Sequence, residues 1–553
     1  VYVRYKQARD IAVNLVELHS RLIATNVKND ADMTFTAINT LPQKRKDTVI
    51  VKTYVPGGKF AIIDEKGNDV DYTIIKSRDL TDYVLSQTIM LDPSRKFYVP
   101  DQVLEVTMAI KANDVPALGY VQYSIDTQKD SHKETADKKV LENKYYTIEV
   151  EENGSLTIVD KANNVTYKNQ GILVENGDDG DSFNYSPPRK DMEVFSNESK
   201  CTVKISGSDI YDQAEIHFDM VVPADLDERA EGKVSVTMLV DMTVALRKDS
   251  KVIDFNVKVD NKGLSHRLCV LFDSQIVSAF NYADQQFGLI KRPNYYEKEM
   301  KLYMESMNNK TEKKAGIQEL ANWANDQSTW QEPPISIEPT QSYVSLTDGK
   351  TGIAVIPQGV REYEVLDDSK IRLTLFRTYG FMGKENLIYR PGRASGERII
   401  ETPAAQLLKE MEFNFGFTSY AGDINDSDID TLAKQYNTNL EVYTYAEFLN
   451  GRLIFSQREI EGQNAKIHSL FETEGNLVVS AVKKAEEDDG YIIRLYNGKD
   501  HKDLDDKIKF NFDIKEAYYT NLKEEKTEEI KVENNTISVK ELSHCKFVTI
   551  WVK

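Results

Sequence analysis

From about residue 141 to residue 425 the chain repeats one pattern: short runs rich in β-branched and aromatic residues, alternating apolar with polar, broken by turn residues. The opening hairpin shows it best. Tyr146, Ile148 and Val150 alternate, Asn153-Gly154 makes the turn, and Leu156 and Ile158 return. CTVKIS, AEIHFDMVV, KVSVTMLVDMTVAL, KVIDFNVKVDN, LCVLFD, YVSLTDGKTGIAVIP and IRLTLF continue it. Few helices interrupt; one is expected over Lys313 to Ala324, near Trp323. So long a stretch of mostly antiparallel strand, with long loops, predicts one large two-sheet sandwich rather than a row of small ones.

The flanks differ. Residues 1–28 read as a helix with Ile11, Leu15, Leu18 and Leu22 on one stripe and Arg4, Lys6, Arg9, Glu17 and Arg21 on other faces. A single stripe needs a partner, which predicts a bundle begun upstream, or self-association. Residues 29–125 carry short strands around Pro56-Gly57-Gly58 and Lys66-Gly67-Asn68, the pattern of a small β-sandwich. Residues 126–140 are polar and charged and read as a linker. Residues 426–553 read as a short helix, Ser427 to Gln435 with Ser427 as N-cap, followed by a small C-terminal β-sandwich. KEEKTEEIKVENN within it reads as a solvated edge or loop. The fold class is mainly β.

A net charge of −19 argues against nucleic acid and anionic membranes as partners. No run approaches the ~20 apolar residues of a membrane helix. Cys201, Cys269 and Cys545 match no zinc or disulfide spacing, which predicts a reducing, cytoplasmic setting.

Against this acidic background one stretch stands out. After the strand Ile371–Phe376, which puts Arg372 on the face opposite Ile371, Leu373 and Leu375, four arginines (Arg377, Arg390, Arg393, Arg398) interleave with Gly380, Gly383, Gly392 and Gly396. Glycine permits close backbone approach, and arginine offers a planar fork of donors to hydroxyls, carboxylates or phosphates. The stretch reads either as a ligand-facing loop on a β scaffold or as a surface loop paired with acidic neighbours. A second loop, NGDDGDSFNYSPP, holds Asp178, Asp179 and Asp181, which suit a turn or a metal, and Phe183 and Tyr185, which suit packing or a wall for a sugar ring. His266 reads as a hydrogen-bonded structural histidine. Glu362, Glu364 and Glu401 are isolated carboxylates, each able in principle to act as an acid. No nucleophile elbow, P-loop, dinucleotide fingerprint or histidine metal motif occurs, so the residues alone reveal no self-sufficient active site.

Several stretches together resemble the C-terminal half of glycoside hydrolase family 38, the α-mannosidases, in its bacterial form. They are LENKYYTIEVEENGSLTIVDKANNVTY, DDGDSFNYSPP, DNKGLSHRLCVLF, VSLTDGKTGIAVIPQGVREYEV and LTLFRTYGF…LIYRPGRASGE…ETPAAQ. RYKQARDIAVNLVE resembles the last helix of that family's three-helix bundle, and FTAINTLPQKRKDTVIVKTYVP the small sandwich after it. The resemblance implies a galactose mutarotase-like super-sandwich over 141–425. It implies a zinc-dependent retaining α-mannosidase whose zinc ligands and catalytic aspartate lie in an α/β barrel upstream. This chain would then contain no catalytic residue, bind no metal and be inactive alone. It would supply one wall of the mannose site through Arg390 and Arg393, with Arg377, Asp181 and either Phe183 or Tyr185 beside them. The partners implied are its own barrel and an α-mannoside or oligosaccharide, with phosphorylated mannosyl-glycerate also compatible with the arginines. The alternative is a carbohydrate-binding or scaffold β-sandwich without chemistry.

Overall fold

The computed structural model describes residues 2–87, 99–308, 332–391, 399–454, 462–500 and 502–553. The helix expected over Lys313–Ala324 lies outside them. Strand alternation builds most of the molecule, and two large sheets carry its main core.

One of these is a ten-stranded antiparallel sheet. Across its centre run Thr351–Gln358, Glu410–Ala421, Ile253–Asp260, Val236–Arg247, Tyr211–Val222 and Lys200–Gly207. The other has six strands, with Ile172–Gly177, His266–Asp273, Lys370–Arg377 and Glu362–Leu366 at its centre. A four-stranded sheet, Leu141 to Gln170, closes one side. Their inner faces meet in one core that includes Phe218, Phe255, Phe272, Phe415 and Phe417. Phe255 stacks on Phe415 at 5.1 Å between ring centres and meets Phe272 edge-on at 5.4 Å, both favoured aromatic geometries. The Asn153-Gly154 turn forms as expected. A side chain at Gly154 would collide with the Phe218 ring, 2.5 Å from where its Cβ would lie, and φ is +80°, so the turn requires glycine twice over.

The opening helix is Tyr2–Thr25, and Ile11, Leu15, Leu18 and Leu22 are all exposed. A small sandwich follows, packed around Phe35, Val51, Phe60, Tyr72, Met108 and Tyr123. One of its strands comes from far along the chain. Glu441–Ala446, assigned by its position to the C-terminal module, pairs antiparallel with Met33–Asn39, and Ala446, Phe448 and Leu449 join the small core. Alternation shows that a segment is a strand; it does not say which edge will accept its backbone donors.

Residues 126–140 are not a free linker. The backbone N–H groups of Ser131 and Lys133 donate to the carbonyls of Phe60 and Tyr72, and that of Lys138 to Ile205. Ala136–Asp137 adds a last strand to the ten-stranded sheet. A polar segment whose backbone is paired on both sides is a strap, and composition hides that. The short helix is Ile429–Asn437, two residues later than expected. Asp428 takes the N-cap position without a side-chain cap, and Ser427 Oγ accepts only a long contact, 3.5 Å, from the Ile429 N–H. The C-terminal sandwich packs around Leu495, Ile508 and Ile550, and its strand Lys526–Glu529 is fully exposed, as the charged edge predicts. Among the described residues no helix is long and apolar enough to cross a membrane.

Candidate functional site

Two loops leave the same end of the six-stranded sheet. Residues 178–191 follow the strand Ile172–Gly177, and residues 378–391 follow Lys370–Arg377. The sequence singles out both, and the structure locks them together.

The first loop turns on its own aspartates. Asp178 Oδ1 accepts from the Gly180 N–H at 2.8 Å, and Asp181 Oδ1 from the N–H groups of Phe183 and Asn184 at 2.9 and 3.1 Å. The turn is tight enough that a Cβ on Gly180 would sit 2.0 Å from the Asn184 carbonyl oxygen. Arg377 enters from the neighbouring strand. Its Nε donates to Asp178 Oδ2 at 2.6 Å, and its Nη2 to Asp178 Oδ1 and to the carbonyls of Asp181 and Asn184 at 3.2, 2.9 and 2.8 Å. Arg390, from the second loop, pairs with Asp181 Oδ2, donates to Asn184 Oδ1 and reaches the Lys384 carbonyl at 3.1 Å. Lys384 pairs with Asp179 and donates its backbone N–H to Asp181 Oδ2 at 2.9 Å. Ser182 Oγ donates to the Met382 carbonyl at 2.6 Å.

Three cations therefore meet three carboxylates, with Asp178 and Asp181 fully buried. The two buried carboxylates are pushed in opposite directions. Burial raises the Asp178 pKa, and Arg377 offsets only part of that. Burial also acts to raise Asp181, but the Arg390 hydrogen bond and three backbone N–H donors outweigh it, and its pKa is lowered.

This changes the part expected of Arg390. It is buried, with 4% of its surface exposed, and its guanidinium is engaged within the protein rather than turned to a ligand. Arg377 is likewise a clamp. Arg393, the other arginine expected at the ligand, lies outside the described residues, as does Arg398. What the clamp holds out is Phe183, 60% exposed at the tip of the turn, with Met382 exposed across the Ser182 hydrogen bond. Tyr185, the alternative aromatic, is buried. Its OH accepts from Asn176 Nδ2 at 3.1 Å, the Arg267 guanidinium lies 4.0 Å above its ring, and Tyr389 meets it edge-on. Of the two aromatics, Phe183 alone is exposed.

Beneath Tyr185 lies a buried polar layer that the sequence gives little sign of. Asn176 Oδ1 accepts from Arg267 Nε and Arg372 Nη2 at 3.0 and 2.9 Å. Glu364 pairs with Arg267 at 2.8 Å, and Glu193 with Arg372 at 2.9 Å. Arg372 is on the strand face as expected, and it is buried there against Asn176 and Glu364. His266 is structural as expected, held by Glu175 and Asn261, each at 2.9 Å. Lys384, Asn184 and Asn176 are the contributors that sequence reasoning misses. The only available signal was the rule that buried guanidinium groups require acceptors. Among the described residues no three histidine, cysteine or acidic side chains converge as a metal site.

Two family models match the chain: the glycosyl hydrolases family 38 C-terminal domain over residues 141–381, and the glycosyl hydrolases family 38 C-terminal beta sandwich domain over residues 476–549. A protein of Halalkalibacterium halodurans named "Putative mannosylglycerate hydrolase" is 24% identical over 420 residues, covering 72% of this chain and 40% of that protein. An α-mannosidase from Enterococcus faecalis V583 shares the fold over 100% of this chain and 60% of its own, with a TM-score of 0.75 and 20% identity. A second E. faecalis structure, titled as a protein in glycosyl hydrolase family 38, gives 0.74 and 18%, with 62% of its chain covered. The chain thus spans about two fifths of the curated relative and about three fifths of the solved chains.

Proposed function

The chain belongs to glycoside hydrolase family 38, as its C-terminal portion, and from that premise we propose that the protein it is part of hydrolyses α-mannosides, with this chain supplying one wall of the sugar site. The observation that carries the reading is Phe183: a large aromatic ring left exposed at the tip of a turn that three ion pairs hold rigid. An exposed aromatic on an ordered loop is suited to the apolar face of a sugar ring, because binding there costs little further ordering.

In this reading the clamp positions and Phe183 contacts. Arg390 and Arg377 fix the Asp178–Asn184 turn, and the apolar ring shields one side of the bound sugar from water. Retaining hydrolysis needs two carboxylates flanking the scissile bond. Asp178, Asp181 and Glu364 are all engaged with arginines, and in this reading the reacting carboxylates and the zinc belong to the part of the protein outside this chain, as the family resemblance implies. The relative's name supports mannosyl-glycerate as one substrate; its anionic end would call on Arg393.

The test is steady-state kinetics of the intact protein on an aryl α-mannoside, beside the 553-residue chain alone. The expected result is turnover by the first and none by the second, with KM raised by Phe183→Ala. No α-mannoside turnover by the intact protein would overturn the activity, and an unchanged KM would overturn the wall.

A further inference from the structure

The outward face of the ten-stranded sheet carries a feature that this reading does not use. Where the small sandwich leans on that face, a cleft of about 530 Å³ opens between Arg45–Ile50, the sheet, and the end of the helix Ile429–Asn437. That is within the about 300–1,000 Å³ typical of ligand pockets. A groove of about 510 Å³ continues from it, sharing Thr243 and Asn256, and a third of about 250 Å³ meets both, through Tyr211 and through Lys204 and Glu215. Together they form one trough along the sheet.

Its floor is a row set by strand register. Thr243 lies opposite Asn256, Asn256 opposite Asn414, and Asn414 opposite Gln358. Side chains at paired positions share a face, so four hydrogen-bonding groups line up across four strands. All four are only partly buried. Asn256 Nδ2 donates to Glu412 and to Asn414 Oδ1 at 2.7 and 2.8 Å. Asn256 Oδ1 and Asn414 Nδ2 have no hydrogen-bond partner among the described residues, which leaves an acceptor beside a donor. That pairing suits vicinal hydroxyls.

Two cations, Arg45 and Arg247, and three carboxylates, Asp47, Asp254 and Glu441, line the cleft, so it has no surplus of positive charge. Asp47 pairs with both Arg45 and Arg247, and Arg247 with Asp254, so both cations are engaged within the protein. Arg45, 4% exposed, keeps a buried Nε–H without a partner among the described residues, although its other nitrogens reach Asp47 and the carbonyls of Gln435 and Thr438. A buried donor of this kind costs stability until something accepts from it. Tyr211 and Tyr436 stand in the same walls. Amides, hydroxyls, two tyrosines and no surplus of cations match a neutral polyhydroxylated chain. An anion would need surplus cations, and an apolar peptide would need apolar walls.

We propose that this trough is a second carbohydrate site, binding a neutral oligosaccharide across Thr243, Asn256, Asn414 and Gln358 on the sheet opposite the Phe183 loop. The trough does not depend on the proposed activity; only mannose as the probe sugar does.

Hydrogen–deuterium exchange of the intact protein with S-linked α-mannobiose, which a glycosidase does not cleave readily, reads both regions separately. Saturable protection is expected in peptides covering 243–256, 410–421 and 435–441. The double variant Asn256→Leu, Asn414→Leu should weaken it at least tenfold while protection around residues 178–191 remains. Gln358→Ala, a milder change, should weaken it several-fold, and the exchange of each ligand-free variant reports whether it is folded. Absence of protection in the trough peptides overturns the proposal, as does unchanged protection in folded variants. Equal protection by inorganic phosphate overturns the neutral-sugar assignment.

Discussion

The six-stranded and ten-stranded sheets enclose one core, and their outward faces carry similar polar side chains put to different uses. On the six-stranded sheet, Arg267 and Arg372 point away from the core yet are buried, Arg267 beneath Tyr185 of the first loop, and both reach Glu364. On the ten-stranded sheet, Lys258 and Glu412 occupy equivalent outward positions and stay in water, 3.9 Å apart. The chemistry of the side chains is alike and the cover differs. Under cover, a charge must have its partner or be expelled; in the open, the same pair contributes next to nothing.

The sharpest way to break this comparison is to delete one charge from each face. Arg372→Ala should destabilise the protein by about 2–3 kcal/mol, because buried Asn176 loses one of its two guanidinium donors and Glu364 one of its two cations, while the half-exposed Glu193 can turn to water. Lys258→Ala should stay within about 0.5 kcal/mol. Urea unfolding of both variants checks this. Equal midpoints would mean that the cover does not exclude water.

Next in size is Arg390→Ala, tested in the intact protein. Losing charge-assisted hydrogen bonds worth about 1.5–3 kcal/mol would lower turnover of an aryl α-mannoside by about ten- to a hundred-fold. As a positioning residue, Arg390 should also loosen the turn, seen as faster amide exchange at Phe183 and Asn184. A fall in activity without that loosening would mean that it contacts substrate directly. Phe183→Ala should do the reverse. It removes an exposed ring, so stability should move by less than about 0.5 kcal/mol. KM on the same substrate should rise by a few-fold to about tenfold, the range of about 0.5–1.5 kcal/mol for an aromatic contact.

Much of this architecture was legible in the strand runs. The 153–154 hairpin, the large antiparallel sandwich and the charged edge at 526–529 follow from alternation and turn chemistry, which act locally. What escaped is non-local. Glu441–Ala446 has the pattern of any strand, and only the free edge at Met33–Asn39 decides its place. Likewise the sequence offers Arg390 as a ligand-facing arginine because Asp181 stands 209 residues away along the chain. That Asp178, Asp179 and Asp181 could offset the arginines if the two loops lie side by side is readable in the sequence; which cation meets which carboxylate, and that Phe183 is left exposed, depends on side-chain geometry. Alternation gives the face that Arg372 takes, opposite Ile371 and Leu373, but not its burial there against Asn176 and Glu364.

The smallest expected effect lies on the open sheet. His217 is 39% exposed and sits between Asp241 and Asp219, at 2.6 and 3.3 Å, with Lys200 near Asp219. The Asp241 hydrogen bond, only partly opposed by desolvation, raises its pKa above the ordinary value of about 6.5. The sign follows. A histidine whose folded pKa is raised stabilises the fold fully below the unfolded value, and that contribution is lost as pH rises through the folded one. Because the site is exposed and screened, the gain should be only a few tenths of a kcal/mol. An NMR titration of the His217 ring reads the pKa directly. It should lie above about 6.5 and fall in Asp241→Asn. A value below the ordinary one in the unaltered protein would mean that desolvation dominates there, and that this face, like the other, is covered.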